Sequence, residues 1–254
     1  MAVIAVFNQK GGVGKTTTCL NVTAALYIAR QSPIAIDLDP QGHLTLASGI
    51  RNVRSENSIV EFFKHKVPLA NLLHDTPRGW QGIPAVLELA KIDALLGSDP
   101  KAASLLKRGL REDLSLTGAP IMIDCCPMLG VMTLNALLAA DRVLIPVSAD
   151  FLSMQGVSRV DSALNVLETK LKRKIERRIV LTRFDARRKL AIEIYDKLKA
   201  KYGERVCQTR IAETVGLATS PMYGQDVFEF APHSPGATDY QALTQELWDS
   251  GFFV

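Results

Sequence analysis

The segment AVIAVFNQKGGVGKTTT occupies residues 2–18. Val3–Phe7 is a short apolar, β-branched run, which predicts a buried strand. Gly11, Gly12 and Gly14 allow the next residues to turn tightly and to point backbone N–H groups at phosphate oxygens, and the helix predicted after them favours negative charge at its N-terminus. The order strand, glycine-rich turn, helix therefore predicts a phosphate-binding loop rather than a turn without a ligand.

Three side chains at the end of this turn have the chemistry that a nucleoside triphosphate requires. Lys15 is placed to neutralise the β- and γ-phosphates, the Thr16 hydroxyl to bind Mg²⁺, and Thr17 to reach the α-phosphate. The predicted nucleotide contacts are Lys10, Gly11, Gly12, Val13, Gly14, Lys15, Thr16 and Thr17.

The turn departs from the ordinary phosphate loop at one position. Gln9 stands where the common motif has glycine, and Lys10 directly precedes the double glycine. This pattern resembles the deviant Walker A motif of the ParA/MinD/Soj family, in which the lysine at the position of Lys10 reaches across a nucleotide-sandwich dimer to the partner's phosphates. The resemblance implies ATP as the nucleotide and an ATP-dependent homodimer. An exposed, solvated lysine is the alternative interpretation.

Two acidic motifs extend the resemblance. Asp37 and Asp39 follow the second predicted strand; in the family, the carboxylate at the position of Asp39 orients the attacking water, and Asp37 is expected to assist the metal or the loop. Asp124 ends the apolar run from Ile121, which is the Walker B arrangement that holds Mg²⁺. Turn-capping aspartates are the alternative for the first pair. The predicted catalytic residues are Lys10, Lys15 and Asp39, and the predicted metal residues are Thr16, Asp37 and Asp124.

The four cysteines form no CxxC pair and have no metal-ligand spacing with histidine, so neither a zinc site nor a disulfide framework is expected. Cys125 and Cys126 follow Asp124, and Cys126 stands where relatives have proline. An iron–sulfur ATPase is disfavoured because adjacent cysteines do not readily share one cluster. With no leader peptide in the sequence, we expect a cytoplasmic protein.

Short apolar runs alternate with helical patterns, which predicts an α/β fold with a mostly parallel twisted sheet and helices on both faces, as in P-loop proteins with a deviant Walker A motif (the SIMIBI class). We expect one domain over residues 1–254, although the pattern between residues 48 and 118 is hard to interpret. The predicted strands are Val3–Phe7, Ile34–Leu38, Ile121–Cys125, Val143–Val147, Ile179–Thr182 and Val206–Ile211. The predicted helices cover residues 16–30, 153–171, 190–202 and 239–248.

The resemblance continues through Ser220-Pro221-Met222-Tyr223-Gly224 but fails at Ala212-Glu213, where many relatives have Pro-Arg next to the adenine. The adenine contacts therefore stay unassigned.

The net charge of +4 is unevenly distributed. Residues 170–189 contain ten basic and two acidic side chains, a local net charge of +8. Clustered Lys and Arg side chains supply the salt-sensitive phosphate contacts that nonspecific DNA binding requires. The predicted DNA-binding residues are Arg183, Arg187, Arg188 and Lys189. A solvated basic helix is the alternative.

The function implied by the resemblance is an ATPase that binds DNA nonspecifically in its ATP state and partitions or positions a cargo. Its hydrolysis would be slow and stimulated by a ParB-like partner, and its ATP state would associate with the nucleoid. A MinD-like membrane switch is the first alternative, but the apolar end of the chain, from Tyr240 to Val254, carries Glu246 and Asp249 and no basic residue that would attract anionic lipid. A metabolic enzyme on the same scaffold is the second alternative, for which we see no substrate motif.

Overall fold

The computed structural model describes residues 2–97, 99, 101–150 and 153–253. An eight-stranded sheet with strand order β3-β4-β2-β5-β1-β6-β7-β8 forms the centre of the fold. The strands are β1 Val3–Val6, β2 Ile34–Asp37, β3 His74–Asp75, β4 Gln81–Ile83, β5 Ile121–Asp124, β6 Arg142–Ser148, β7 Glu176–Phe184 and β8 Val206–Ala212. All pairs are parallel except that between β3 and β4.

Helices cover both faces of this sheet. They are α1 Lys15–Ile28, α2 His43–Ala47, α3 Ile59–His65, α4 Leu89–Leu96, α5 Leu105–Gly109, α6 Val131–Ala139, α7 Ser153–Leu171, α8 Lys189–Tyr202, α9 Val215–Thr219, α10 Val227–Phe230 and α11 Pro235–Asp249. Short 3₁₀ segments lie at Ser55–Asn57, Leu69–Leu72, Ala102–Ser104, Ser115–Thr117, Gly203–Arg205 and Ser220–Tyr223, and a π-helical turn lies at Leu110–Leu114.

Each face of the sheet has its own apolar core, because successive side chains of a strand point to opposite faces. Val3, Ala5 and Phe7 join the core formed with α3–α8. Ile4 and Val6 join the core formed with α1, α2 and α9–α11. The central strands are buried on both faces, which is why they read as continuous apolar runs in the sequence.

The outer edge of β8 is closed by carboxylates rather than by another strand. Glu246 of α11 accepts hydrogen bonds from the Gln208 and Thr209 N–H groups, at 2.8 Å each. Asp239 accepts one from the Ala212 N–H at 2.8 Å. An edge strand whose N–H groups are already bonded offers few donors for pairing with another chain.

All six predicted strands are present, and the α/β architecture with helices on both faces is confirmed. The predicted β7 segment, Ile179–Thr182, was too short, because the charged ends of this nine-residue strand concealed its length. The segment between residues 48 and 118 holds β3, β4 and α3–α5, which the sequence analysis left unassigned. These elements are short, and short elements lack the repeated apolar spacing from which a helix or strand can be predicted.

The apolar residues near the C-terminus are part of the core. Leu243, Leu247 and Phe252 are fully buried, and Phe253 is 6% exposed. Val254 lies outside the described residues. None of the helices in the described part of the chain combines the length and the apolar character needed to cross a membrane.

Candidate nucleotide-binding site

A cleft of about 810 Å³ lies at the carboxyl ends of the parallel strands, which is where open α/β sheets bind their ligands. One part of its wall is the phosphate loop, with Gly11, Gly12, Gly14 and Lys15–Thr17. A second part is acidic and apolar, with Asp39, Leu87, Cys126 and Met128. The third part comes from the ends of β7 and β8 and from α9 and α11, with Thr182, Arg183, Ile211–Thr214, Leu217, Ala218 and Tyr240.

The backbone of residues 11–14 has the form that phosphate binding needs. Gly12 and Gly14 have φ angles of 71° and 83°, in the region that favours glycine. A Cβ atom at Gly11 or Gly12 would meet nothing within 4 Å, so the space beside this turn is open. The N-cap position of α1 is Gly14, which provides no side-chain hydrogen bond to the first turn. The free amides of the turn and of the helix N-terminus therefore suit an anion.

Lys15 and Lys10 lie in different surroundings. Lys15 is 8% exposed, and its ammonium donates to the Lys10 carbonyl at 3.1 Å. Burial lowers the pKa of Lys15, while the charges of Asp124 and Asp39 act in the opposite direction. The Lys10 ammonium instead contacts both carboxylate oxygens of Asp150 at 2.6 Å. Lys10 is not one of the described residues that line the cleft.

The sequence analysis did not identify Asn8 or Asp150, although both residues form hydrogen bonds that position Lys10. The Asn8 side chain is 1% exposed; its amide donates to the Pro146 carbonyl at 2.8 Å, and its Oδ1 accepts from the Lys10 N–H at 3.0 Å. Pro146 and Asp150 come from β6 and the loop that follows it, about 140 residues away in sequence. These partners are brought together because β1 and β6 are neighbours in the sheet, which the sequence alone does not show.

Asp124 and Thr16 fit a magnesium ion. The Thr16 hydroxyl donates to Asp124 Oδ2 at 2.7 Å, while Asp124 Oδ1 is buried without a hydrogen-bond partner among the described residues. Burial and the neighbouring Asp37 charge raise the pKa of Asp124. A bound cation would stabilise this carboxylate in its charged form. An aspartate and a threonine are a typical protein contribution to Mg²⁺, which takes its other ligands from water and phosphates.

Asp37 is already saturated by the protein. Its Oδ1 accepts from the Asp39 N–H at 3.0 Å, and its Oδ2 accepts from the Thr45 N–H and hydroxyl at 2.9 and 2.8 Å. Burial raises the pKa of Asp37 to about 6, and these hydrogen bonds oppose the shift. Of the two expected roles, the structure favours the organisation of the loop that carries Asp39 over direct metal binding.

Asp39 itself lies on the cleft wall and is 9% exposed. Its Oδ1 accepts from the Gln41 N–H at 2.9 Å, and its carbonyl accepts from the Gly42 N–H at 2.9 Å. These contacts fix the carboxylate in a tight turn facing the phosphate loop.

The segment after Asp124 is supported by a residue that the sequence analysis missed. Asp93 of α4 accepts from the Met132 N–H at 2.7 Å, which caps the start of α6, and it lies directly against Gly130. Cys126 lines the cleft and is partly exposed, whereas Cys125 is buried. Burial raises the pKa of both thiols. All four cysteines are free thiols.

At the third part of the wall, Thr182 donates from its hydroxyl to the Val13 carbonyl at 2.8 Å and so joins β7 to the phosphate loop. Arg183 lies on the cleft, where its guanidinium pairs with Glu213 at 2.7 Å. Arg183, predicted as a DNA contact, is therefore already engaged beside the nucleotide cleft. The sequence signal for Thr182 was only its position at a predicted strand end, whereas Glu213 belongs to the Ala212-Glu213 departure noted above.

The basic stretch 170–189 is divided by β7, whose nine residues span roughly 26 Å. At the carboxyl end, the side chains of Arg187 and Arg188 are 90% and 70% exposed, and Lys189 is exposed. Arg188 is the N-cap residue of α8, which begins at Lys189. At the amino end, Arg173, Arg177 and Arg178 form ion pairs with acidic residues.

Comparison with known proteins agrees with this geometry. The family model described as an AAA domain matches residues 1–177. The chain is 36% identical over 246 residues to the chromosome-partitioning ATPase Soj of Thermus thermophilus, covering 96% of this chain and 94% of that protein. It is 33% identical over 247 residues to the chromosome partitioning protein ParA of Myxococcus xanthus, covering 96% and 87%.

A solved structure of a protein from Mycobacterium smegmatis, described as cobyrinic acid a,c-diamide synthase with a bound ATP analogue and magnesium, superposes with a TM-score of 0.84. It is 29% identical and covers 99% of this chain and 97% of its own. The phosphate-loop fold is therefore shared with a protein that holds both groups for which the cleft is suited.

Proposed function

Because this chain belongs to the ParA/Soj family of P-loop ATPases, we propose that it is an ATP-hydrolysing dimerisation switch that binds DNA nonspecifically in its ATP state. It partitions or positions a cargo together with a ParB-like stimulating protein. In this proposal residues 1–254 act as one ATPase domain that associates with the nucleoid when ATP is bound. The observation that carries the proposal is the phosphate loop with Lys10 held outside its own cleft.

Hydrolysis of a phosphoanhydride by water depends on positioning and charge neutralisation more than on covalent chemistry. The amides of the phosphate loop and Lys15 bind the phosphates, and Asp39 orients the attacking water. Thr16 and Asp124 hold Mg²⁺, which when bound neutralises charge on the phosphate oxygens. Asp37 keeps the Asp39 turn in place through its three hydrogen bonds.

Lys10 supplies the reason for a dimer. Its ammonium is paired with Asp150, so one protomer alone presents Lys15 but not Lys10 to its phosphates. A second protomer that places its own Lys10 at this cleft adds a positive charge where negative charge must be neutralised. ATP then favours the dimer, and hydrolysis dissolves it.

The exposed Arg187, Arg188 and Lys189 favour a DNA partner. They lie together where β7 ends and α8 begins; Arg187 and Arg188 pair with Asp185 of the same loop but stay exposed, so all three cations are accessible to DNA phosphates. Relatives that match this chain over nearly its full length include chromosome partitioning proteins, which supports the same role here.

The MinD-like alternative is less well supported. A membrane-binding helix must expose its apolar side chains, whereas Leu243, Leu247 and Phe252 are fully buried against the sheet. The metabolic alternative takes support from the name of the M. smegmatis protein. The partitioning ATPases are nevertheless more similar to this chain in sequence, at 33–36% against 29% identity.

Co-sedimentation with plain duplex DNA and with liposomes, each with and without ATP and Mg²⁺, tests this function. We expect ATP-dependent sedimentation with DNA only. Analytical ultracentrifugation is expected to show an ATP-dependent dimer that Lys10→Ala and Lys15→Ala lose, with Arg108→Ala as the control for removal of an exposed cation. Binding to liposomes but not to DNA, or rapid hydrolysis by a strict monomer, would contradict the proposal.

A further inference from the structure

The second part of the cleft wall is assembled from two segments that are distant in sequence. Leu87 and Ala90 come from the start of α4, and Cys126–Met128 come from residues 126–130, which connect β5 to α6 and are called the connecting segment below. Burial raises the pKa of the Cys126 thiol, and the charges of Asp39 and Lys15 act on it as well. The connecting segment therefore lies at the phosphate end of the cleft.

A buried hydroxyl of α6 holds the connecting segment from the inside. Thr133 is 1% exposed, and its hydroxyl donates to the Met128 carbonyl at 2.6 Å and lies 3.2 Å from the Cys126 carbonyl. The outer side of the segment faces solvent, since Met128 and Leu129 are 71% and 49% exposed. Packing of side chains on that side contributes little to its position.

A carboxylate of α4 holds the far end of the segment. Gly130 is the N-cap residue of α6 and has no side chain to offer, and Asp93 instead accepts from the Met132 N–H at 2.7 Å. The φ angle of Gly130 is −92°, which any residue can adopt, but an added Cβ atom would collide with the Asp93 carboxylate. Close approach of Asp93, rather than backbone conformation, therefore requires glycine at position 130.

The position of Asp93 on α4 connects the two segments of the wall. Asp93 lies about one turn beyond Ala90, which lines the cleft. Its contacts with Gly130 and Met132 therefore fix the connecting segment relative to the α4 part of the same wall.

We propose that Asp93 and Thr133 are positioning residues for ATP hydrolysis, which hold the connecting segment against the phosphate end of the cleft. This inference rests on the proposed function and adds residues that do not themselves line the cleft. The phosphate loop and Lys15 bind the phosphates without help from this segment, so loss of either anchor leaves nucleotide affinity in place. Hydrolysis is more sensitive, because a small displacement of the groups around the reacting atoms can slow a reaction by up to about a hundredfold.

Single-turnover hydrolysis of radiolabelled ATP with Mg²⁺, paired with titration of fluorescent ADP, separates the two quantities. We expect Asp93→Ala and Thr133→Val to lower the hydrolysis rate about tenfold while ADP affinity stays within about twofold of the wild type. Asp93→Asn keeps an acceptor for the Met132 N–H, and Thr133→Ser keeps the hydroxyl, so both should retain most of the rate.

Gly130→Ala tests the contact from its other side. The added methyl group should displace Asp93 and slow hydrolysis as Asp93→Ala does. The double variant Asp93→Ala/Gly130→Ala should be no slower than either single variant, because the collision is then removed. Multiplication of the two single effects in the double variant would contradict a shared mechanism.

Ser58→Ala is the matched control for the loss of a helix cap. It removes the N-cap hydrogen bond of α3, none of whose residues lines the cleft, and should hydrolyse ATP at the wild-type rate. The proposal is overturned if Asp93→Ala retains the wild-type rate, if Ser58→Ala is slowed equally, or if ADP affinity falls as much as the rate. A wild type that neither binds nor hydrolyses ATP contradicts the proposed function itself.

Discussion

Both ends of β7 carry clusters of basic residues, but the arginines at the amino end form ion pairs within the fold, whereas those at the carboxyl end are exposed to solvent. At the amino end, Arg177 is 6% exposed and contacts Asp161 at 2.7 Å and Glu168 at 2.6 Å. At the carboxyl end, the Arg187 side chain is 90% exposed, and its partner among the described residues is Asp185 of its own loop, at 2.9 Å. A run of positive charge in a sequence therefore indicates neither which cations are available to a partner nor which ones hold the fold together.

The amino end of β7 also carries exposed cations, so the two ends do not differ in every basic residue. Its arginines are paired, but Lys170, Lys172 and Lys174, around the turn from α7 to β7, are exposed. These three lysines are a second accessible cationic surface at the opposite edge of the sheet. They make the comparison testable, since net charge alone would assign DNA binding to either end.

The largest effect is expected at Arg177. Arg177→Ala leaves Glu168 without its buried cation, although Asp161 keeps its pair with Arg205, and it removes a link between α7 and β7, so we expect the free energy of unfolding to fall by about 3–5 kcal/mol. Urea denaturation followed by circular dichroism measures this loss. Arg187→Ala should leave the urea midpoint unchanged, and an equal shift in the two variants would erase the distinction between the two ends.

Removal of cations from the carboxyl end should weaken DNA binding without affecting the fold. For Arg187→Ala/Arg188→Ala we expect at least a tenfold loss of affinity for duplex DNA in the ATP state. The slope of log affinity against log salt should become shallower by about 1.8, since each phosphate contact contributes about 0.9. Fluorescence anisotropy over a salt series measures both quantities.

The matched comparison is a triple variant, Lys170→Ala/Lys172→Ala/Lys174→Ala, which removes more charge from the other end of β7. It should retain the salt slope of the wild type. If the salt slope becomes shallower in the triple variant and stays at the wild-type value in the double variant, the DNA surface lies at the amino end instead.

A smaller effect is expected from the pH dependence of the paired cluster. Burial raises the pKa of Glu168, but hydrogen bonds from the Ile175 N–H and from Arg177 outweigh it, and the pKa lies below its ordinary value. A carboxyl whose pKa is lowered by folding contributes stability above its unfolded-state pKa of about 4.3 and loses that contribution as the pH falls through the folded-state value. Urea unfolding between pH 6 and pH 3 should therefore show a steeper acid loss in the wild type than in Glu168→Gln. Parallel curves would show that the pair adds no pH-dependent stability.

The smallest effect is expected at Asp185. Hydrogen bonds from Arg187 lower the pKa of Asp185 to about 2, so this carboxylate stays charged and competes with DNA phosphates for Arg187. Asp185→Asn keeps an acceptor for the Arg187 N–H but removes the charge, and we expect DNA affinity to rise two- to threefold, on the order of one weak electrostatic contact. Glu112→Gln, which removes an exposed charge elsewhere, should have no effect, and a decrease for Asp185→Asn would contradict the assignment of this face.

The sequence determined the parts of the molecule that are built from consecutive residues. The phosphate loop needs only a strand, glycines at particular positions and a helix, so Gly12, Gly14, Lys15 and Thr16 could be predicted as its residues from positions 2–18 alone. The central strands were recognised because strands buried on both faces are continuous apolar runs. The short elements between residues 48 and 118 were not, because their stability comes from packing against α6 and the sheet rather than from their own pattern.

Tertiary structure alone decided how distant residues complete the site. Asn8 and Asp150 hold Lys10, Asp93 caps α6 behind the Walker B strand, and Arg183 pairs with Glu213 across two strand ends. These contacts depend on which strands are neighbours and in what register, and a sequence carries little local signal for either. The spacing of a phosphate loop is fixed by local backbone geometry, whereas the partner of a charge is fixed by the path of the whole chain.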